Sequence, residues 1–553
     1  MTPKTYLTRS LLTASMLAAP TLVAAQAASL STDDIALINR VTWGVTSNTV
    51  RDAQAQGMEA WLQGQLHPAN GDHLPPAVRA QIEAMPALKQ SPMALARDLR
   101  DKFQDLKAQQ PNDRRASKVL PSAQSVVMAT TPVAKQLTRP VATAPQPIAA
   151  ILPSAPIGPT PQELRQAYQR DVMRQVAARR MFRDLYSSDQ LREQMTWFWF
   201  NHFNVFLQKD EIRLFLADYE DRALRPNALG NFRTLLEATL RSPAMLQYLD
   251  NFQNASGKIN ENYAREIMEL HTMGVGSGYT QKDVQELARI LTGVSITRPA
   301  ESNKEQGNLP AGAIRDGMFA FYPARHDFGD KLFLGHIIKG SGYHEVEQAL
   351  DLLAENPATA QHISKQLAQF FVADDPPKSL VTKMAARFSE SGGDIAAVLD
   401  LMFHSNEFRA SLRKPLLKDP QHYVLSAVRM AYEDKPILNP NPALGWLIRL
   451  GEPLYGHLTP DGYALERTAW NGPGQIEQRF EVAQAIGNGA AGLFKGDAPD
   501  AKTQPAYPQL QNALYFNTLA PGLATETRNA LAQATSPQEW NVLYLASPDF
   551  MRR

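Results

Sequence analysis

The sequence predicts a mostly α-helical protein, a multi-helical globular body with one small β-hairpin. Helix-start signals recur along the chain. The strongest is Thr160-Pro161-Gln162-Glu163, where an N-cap threonine precedes proline and glutamate follows three residues after the cap. Apolar residues then repeat at helical spacing, as expected for one buried helix face: Leu164, Tyr168, Val172 and Val176. From there to the C-terminus, residues 318–337 are the one region that breaks the helical pattern.

Those residues form the predicted β-hairpin. Two short apolar runs, residues 318–322 and 331–335, have the composition of strands, and the polar stretch between them suits a loop. Arg325-His326-Asp327 lies at the tip of this loop. Functional residues concentrate in loops, but aspartate and glycine also favour turns for conformational reasons. The triplet is therefore either a functional loop or ordinary turn polarity.

Composition divides the chain into four predicted segments. They are a signal peptide over residues 1–27, an N-terminal helical region over 28–119, a Pro-rich linker or insertion over 120–161, and a main helical domain over 162–553. Lys4 and Arg9 precede an apolar run that ends in Ala25-Gln26-Ala27, the small-x-small pattern of a cleavage site. We therefore expect a mature chain that begins at Ala28 and is periplasmic or secreted.

The bulk composition excludes several classes of function. The chain has 56 basic and 55 acidic residues and a formal net charge of +1, so no bulk attraction to nucleic acid is expected. It has no cysteine, which excludes disulfides, thiolate nucleophiles and cysteine-ligated metal sites. No segment after the predicted signal peptide has the length and apolarity of a membrane span. The elbow, P-loop and zincin motifs are absent as well.

An aromatic run, Trp197-Phe198-Trp199-Phe200-Asn201-His202-Phe203, has two interpretations. Aromatic residues at helical spacing usually form a core helix, in which His202 would be a buried, hydrogen-bonded imidazole. Alternatively, Asn201 and His202 are the polar end of a cleft whose aromatic walls, Trp197 and Trp199, stack on sugar rings. The sequence leaves both interpretations open.

Paired carboxylates occur in a second run, Asn262-Tyr263-Ala264-Arg265-Glu266-Ile267-Met268-Glu269-Leu270-His271. At about 100° per residue, Glu266 and Glu269 share one arc with Arg265 beside it, whereas His271 lies on the apolar side. The acidic arc is either a solvated face with an Arg265–Glu269 pair or a pair of catalytic carboxylates. Further along, Thr280 and Asp283 form a capping pair, at a helix start that could also receive a ligand.

Several of these runs carry a family resemblance. The chain resembles the bacterial family catalogued as domain of unknown function 1800. The motifs that carry the resemblance, in chain order, include Leu37-Ile38-Asn39-Arg40-Val41-Thr42-Trp43-Gly44, Trp199-Phe200-Asn201-His202-Phe203, Asn260-Glu261-Asn262-Tyr263-Ala264-Arg265-Glu266, Tyr279-Thr280-Gln281-Lys282-Asp283-Val284, His326-Asp327 and Pro460-Asp461-Gly462-Tyr463. The resemblance implies an exported helical protein whose partner is a secreted sulfatase-like or phosphatase-like protein, and it assigns no catalytic residue.

The leading hypothesis is an exported hydrolase that acts on a polysaccharide. Glu266 or Glu269 would be the general acid or base, with Asp283 or Asp327 as the second carboxylate. Contacts to the substrate are assigned to six residues: Trp197, Trp199, Asn201, His202, Arg265 and Arg325.

Two alternatives stay open. In the first, a divalent metal ion is bound by His202, His326 and Asp327 with another carboxylate. In the second, the chain has no catalytic activity and binds a glycan or a protein during envelope or matrix assembly.

Overall fold

Helices make up most of the chain in the computed structural model, which describes residues 30–109, 160–297, 309–433, 435–496, 502 and 504–553. The predicted signal peptide and nearly all of the Pro-rich segment lie outside these residues. Among the described helices, none is both long enough and apolar enough to cross a membrane. The prediction of a mostly α-helical protein is confirmed.

The helices before the strands are α1 (Thr32–Val41), α2 (Ser47–Gln56), α3 (Met58–Leu66), α4 (Pro76–Glu83), α5 (Pro92–Gln109), α6 (Pro161–Tyr186), α7 (Gln190–His202), α8 (Leu216–Asp218), α9 (Phe232–Leu240), α10 (Pro243–Tyr248), α11 (Asn262–Glu266) and α12 (Gln281–Ile290). The helices after the strands are α13 (Tyr343–Ala354), α14 (Pro357–Phe371), α15 (Lys378–Glu390), α16 (Ile395–His404), α17 (Asn406–Leu412), α18 (Pro420–Tyr432), α19 (Asn441–Arg449), α20 (Pro473–Gly487), α21 (Thr525–Ala532) and α22 (Pro537–Leu545).

Side-chain caps explain where several helices begin. Thr160 and Glu163 form a capping box at α6, so this predicted start is confirmed. Thr280 and Asp283 form the same reciprocal pair at α12. Each cap satisfies backbone N–H groups that the first helical turn leaves without partners.

The central element of the core is α7. Every residue from Gln190 to His202 is buried, so this helix is surrounded on all sides rather than lying on the surface. The indole nitrogen of Trp199 donates to the Ala228 carbonyl oxygen at 2.9 Å, which satisfies its one polar atom. Residues at the end of α7 are therefore fixed by packing against the rest of the body.

The short strands belong to two antiparallel sheets. The first contains β1 (Val294–Ile296), β2 (Ile314–Asp316) and β3 (Phe319–Phe321) in the order β1-β3-β2. The second pairs β4 (Lys331–Phe333) with β5 (His336–Ile338).

The predicted pairing within residues 318–337 is wrong. Strands form in both flanks, as β3 and β4, but each pairs with a different neighbour. Two tight turns explain the difference: Gly317 lies between β2 and β3, and Leu334-Gly335 lies between β4 and β5. Gly317, Leu334 and Gly335 have φ angles of 60°, 49° and 80°, and tight hairpin turns require this left-handed backbone.

Candidate active site

Helix α11 carries the predicted carboxylates on its exposed side. It continues beyond Glu266 as a π-helical turn, Ile267–His271, so Glu269 lies within the wider turn. Glu266 and Glu269 are partly exposed, whereas His271 is fully buried. The predicted separation of an acidic arc from an apolar side is confirmed.

The surroundings of Glu266 favour its protonated form. Its pKa is raised because burial disfavours the charged form, and the negative charges of Glu269 and Asp461 act in the same direction. The Arg265 guanidinium opposes the shift without cancelling it. Glu266 therefore keeps its proton to a higher pH than an ordinary glutamate.

Asp461 reaches this site on a loop that the end of α7 holds in place. The Asn201 side-chain amide donates to the Tyr463 carbonyl oxygen at 2.9 Å, and the Tyr463 backbone N–H donates to the Asn201 side-chain oxygen at 2.6 Å. Gly462 directly follows Asp461 and has a φ of 73°. A side chain at position 462 would clash with Asn201, because a Cβ atom there would lie 2.1 Å from the Asn201 carbonyl oxygen.

Two more side chains fix the same loop. The Asn204 amide donates to the carbonyl oxygens of His457 at 3.0 Å and Thr459 at 2.8 Å. The Tyr248 hydroxyl donates to the Leu458 carbonyl oxygen at 2.7 Å. We define residues 457–463 as the clamped loop.

Tyr248 also connects the clamped loop with α11. Burial raises the pKa of the Tyr248 phenol, and the charges of Asp461 and Glu266 raise it further. The phenol is therefore within electrostatic reach of both carboxylates.

Arg265 neutralises its acidic neighbours instead of facing an open cleft. Its guanidinium donates to Glu261 at 3.2 Å, to Gln281 at 2.8 Å and to Glu269 at 3.4 Å. The predicted Arg265–Glu269 pair is therefore present. With these partners, Arg265 orients the acidic groups, and its side chain is 37% exposed.

His202 is a buried imidazole whose two nitrogens both have partners. Nδ1 lies 2.7 Å from the Gln366 side-chain oxygen, and Nε2 lies 3.0 Å from the His271 carbonyl oxygen. Burial and the neighbouring His362 lower its pKa to about 4. His202 therefore connects the end of α7 to the end of the π-helical turn as a neutral side chain.

The two tryptophans offer no surface for stacking on a sugar. Trp197 and Trp199 are 4% and 0% exposed. Trp197 and Asn201 line a small cavity of ≈ 20 Å³, which is room for a single water molecule. The predicted aromatic-walled cleft is therefore a packed core in this structure.

Arg325, His326 and Asp327 do not lie at a hairpin tip, which corrects the prediction for this run. Arg325 donates to the Phe252 carbonyl oxygen at 3.0 Å, holding a neighbouring loop. His326 is buried, with Nε2 2.9 Å from a Glu345 carboxylate oxygen.

Asp327 and Asp283 are likewise held in structural contacts. The Arg289 guanidinium donates to both carboxylate oxygens of Asp327, at 2.9 and 3.1 Å, and lowers its pKa to about 2. Asp283 accepts hydrogen bonds from the Thr280 cap and from the Leu334 backbone N–H at 2.9 Å. Neither aspartate is among the charges that shift the pKa of Glu266.

The alternative metal site does not assemble either. His202 and His326 have different hydrogen-bond partners. In the part of the chain that the structure describes, no group of three or more His, Asp or Glu side chains is arranged to hold a metal ion.

A family profile described as protein of unknown function (DUF1800) matches residues 36–552. The chain belongs to the DUF1800 family. No curated protein and no solved structure matches it significantly. This DUF1800 match assigns no role to any residue.

Sequence reasoning missed three residues of the DUF1800 chain that build the site: Tyr248, Asn204 and Asp461. Asp461 belongs to one of the runs that carry the family resemblance, Pro460-Asp461-Gly462-Tyr463, and that run was the signal that could have identified it. Tyr248 and Asn204 act through long-range hydrogen bonds to backbone carbonyls, for which the sequence has no local signal.

Proposed function

We propose that this chain is an exported hydrolase that cleaves glycosidic bonds in a polysaccharide. Glu266 is the general acid and Asp461 is the second carboxylate. One observation supports the proposal most strongly. The pKa of Glu266 is raised, and part of that shift comes from the charge of Asp461, a more exposed carboxylate on a different element. Two carboxyl groups in unlike environments are the minimum machinery for this reaction.

The unlike environments assign the two roles. Burial and like charge favour the protonated form of Glu266, the form that donates a proton to the departing glycosidic oxygen. The Asp461 side chain is 61% exposed, so water reaches it freely. Asp461 then acts as the base on that water or attacks the sugar itself, according to the separation of the two carboxyl groups around the bound substrate.

The surroundings fit a polymer better than a small, enclosed substrate. The carboxylates lie on the partly exposed side of α11 and on an exposed loop, so a long chain could cross them. Leu458 of the clamped loop is 65% exposed and offers an apolar contact beside Asp461 for the face of a sugar ring.

Export is the second part of the proposal. It rests on the basic N-terminus, the apolar run and Ala25-Gln26-Ala27. A polysaccharide of the cell envelope or the extracellular matrix would then be the accessible substrate. The secreted sulfatase-like or phosphatase-like partner implied by the family resemblance stays a prediction.

A glycan screen tests the enzymatic proposal. The mature chain from Ala28 is incubated with envelope and matrix polysaccharides, and new reducing ends are measured. We expect Glu266→Gln and Asp461→Asn each to lower kcat on the cleaved glycan by about 100-fold or more, with an unchanged melting temperature. Glu261→Gln is the matched control, because Glu261 also pairs with Arg265 but does not contribute to the raised pKa of Glu266. Full activity in Glu266→Gln would remove Glu266 from the mechanism.

A further inference from the structure

A second cavity, distant in sequence from the α11 carboxylates, lies against the α1 region and against Ser426 and Met430 of α18. Its volume is ≈ 330 Å³, which is the size of a small-ligand pocket. Apolar side chains make up much of its wall, including Val45, Leu412 and Phe550. Two residues with reactive side chains, Lys418 and Ser426, also line it.

Lys418 and Ser426 are in direct contact. Lys418 Nζ donates to Ser426 Oγ at 2.9 Å, and Ser426 Oγ donates to the Tyr423 carbonyl oxygen at 3.1 Å. Lys418 Nζ also lies 3.9 Å from the centre of the Phe550 ring. Both side chains are buried at the cavity wall, with residue exposures of 3% for Lys418 and 1% for Ser426.

The surroundings of Lys418 favour the neutral amine. Burial holds its pKa well below the usual range, and the guanidiniums of Arg479 and Arg553 act in the same direction. The negative charge of Asp419 opposes this shift without reversing it. The Ser426 hydroxyl donates to the Tyr423 carbonyl oxygen, and turning it towards Nζ would let the neutral amine accept its proton.

Gly44 packs its backbone directly against Ser426 at the cavity wall. It has a φ of 121°, and a Cβ atom there would lie 2.6 Å from Ser426 Cβ. Gly44 also lines the cavity. The run that ends in Trp43-Gly44 has no part in the glycosidase proposal. The contact with Ser426 explains why a glycine stands at position 44.

We propose that Ser426 and Lys418 form a nucleophilic dyad that hydrolyses carboxylic esters whose small acyl group enters this cavity. Ser426 Oγ attacks the ester carbonyl carbon while Lys418 Nζ takes the hydroxyl proton. The ester C–O bond then breaks, and Lys418 returns that proton to the departing alkoxide, which leaves as an alcohol. Water attacks the resulting acyl-serine with Lys418 again as base, which releases the carboxylic acid and restores the serine hydroxyl.

A fluorophosphonate probe tests this directly on the mature chain. Attack by Ser426 Oγ would form an O–P bond and expel fluoride, and peptide mass spectrometry would locate the adduct. We expect one adduct, on Ser426, and none in Ser426→Ala. We expect Lys418→Met to lower the labelling rate about 100-fold, the scale of a lost general base.

Ser547→Ala is the matched control. Ser547 is buried, and its Oγ donates to the Tyr544 carbonyl oxygen three residues earlier, as Ser426 does to Tyr423. Among the described residues, no lysine is hydrogen-bonded to the Ser547 hydroxyl. Labelling should be unchanged in this variant.

If Lys418→Met fails to fold, the pH dependence of labelling in the wild-type chain replaces it. A labelling rate that is already maximal at neutral pH would support the dyad, and one that keeps rising towards a pH of about 10, where an ordinary lysine titrates, would overturn it. Absence of any adduct on Ser426 would overturn it as well. Neither result bears on Glu266, so the two proposals fail independently.

Discussion

The backbone of Gly462 lies so close to Asn201 that a Cβ atom at position 462 would be 2.1 Å from the Asn201 carbonyl oxygen. This contact joins the clamped loop to the end of α7, and the two hydrogen bonds between Asn201 and Tyr463 reinforce it. The position of Asp461 therefore depends on a glycine that directly follows it.

Gly462→Ala should displace the clamped loop and lower glycan cleavage. The variant combines a left-handed backbone, which disfavours a side chain by about 1–2 kcal/mol, with a clash that adds roughly 1–3 kcal/mol. Gly257→Ala is the matched control, because Gly257 has a similar φ of 76° but a Cβ atom there would have nothing within 4 Å. Urea unfolding and kcat on the cleaved glycan would be measured for both. Equal effects of the two substitutions would show that the contact with Asn201 does not position the loop.

Removing the charge of Glu269 should shift the pH dependence of catalysis. Glu269 raises the pKa of Glu266, so Glu269→Gln lowers that pKa. The general acid must be protonated, and activity is lost as the pH rises through its pKa. The alkaline limb of kcat/KM should therefore move to lower pH in Glu269→Gln and stay in place in Glu261→Gln. An unmoved limb in Glu269→Gln would contradict the assignment of Glu266 as the acid.

The buried histidines should make the fold sensitive to mild acid. Burial lowers the pKa of His202 to about 4 and that of His271 well below its usual value. In the unfolded chain each imidazole takes up a proton near a pH of about 6.5. The unfolded state therefore binds more protons below that pH, and stability falls as the pH drops from about 6.5 towards about 4.

The size of this effect is about 1.4 kcal/mol per pH unit for each imidazole. Urea unfolding of the wild type at several pH values would measure it, and His271→Leu should show a shallower decline. His404→Gln is the control: His404 is more exposed and its pKa is raised, so its removal should not make the decline shallower. The same slope in His271→Leu and the wild type would rule out His271 as a source of the acid sensitivity.

Glu345→Gln should be strongly destabilising. The Glu345 carboxylate is fully buried and contacts both His326 and Lys331, whose side chains are also fully buried. Removing its charge leaves the buried Lys331 ammonium without its direct ion-pair partner, and such losses amount to about 3–5 kcal/mol. Asp330→Asn, which breaks the exposed pair with Lys339, should change the unfolding midpoint little. Similar small shifts for both variants would contradict the role given to burial.

Local rules explain which features the sequence predicts and which it misses. Capping residues and helical periodicity act within a few positions, so the starts of α6 and α12 and the two sides of α11 are predictable. The pairing of β4 is not, because it depends on a turn whose left-handed backbone includes Leu334, a residue with no turn preference. Asp461 influences Glu266 only through tertiary packing, so the sequence points to Asp283 and Asp327 as the second carboxylate instead.

The end of α7 connects the two segments that carry the carboxylates. Asn201 binds the clamped loop, and the adjacent His202 contacts the carbonyl oxygen of His271 at the end of the π-helical turn. Both segments are therefore held in place by adjacent residues at the buried end of α7. In the proposed hydrolase, substitutions on the exposed surface of the clamped loop could alter which glycan is accepted, while the spacing between Glu266 and Asp461, and with it the stereochemical outcome, would stay the same.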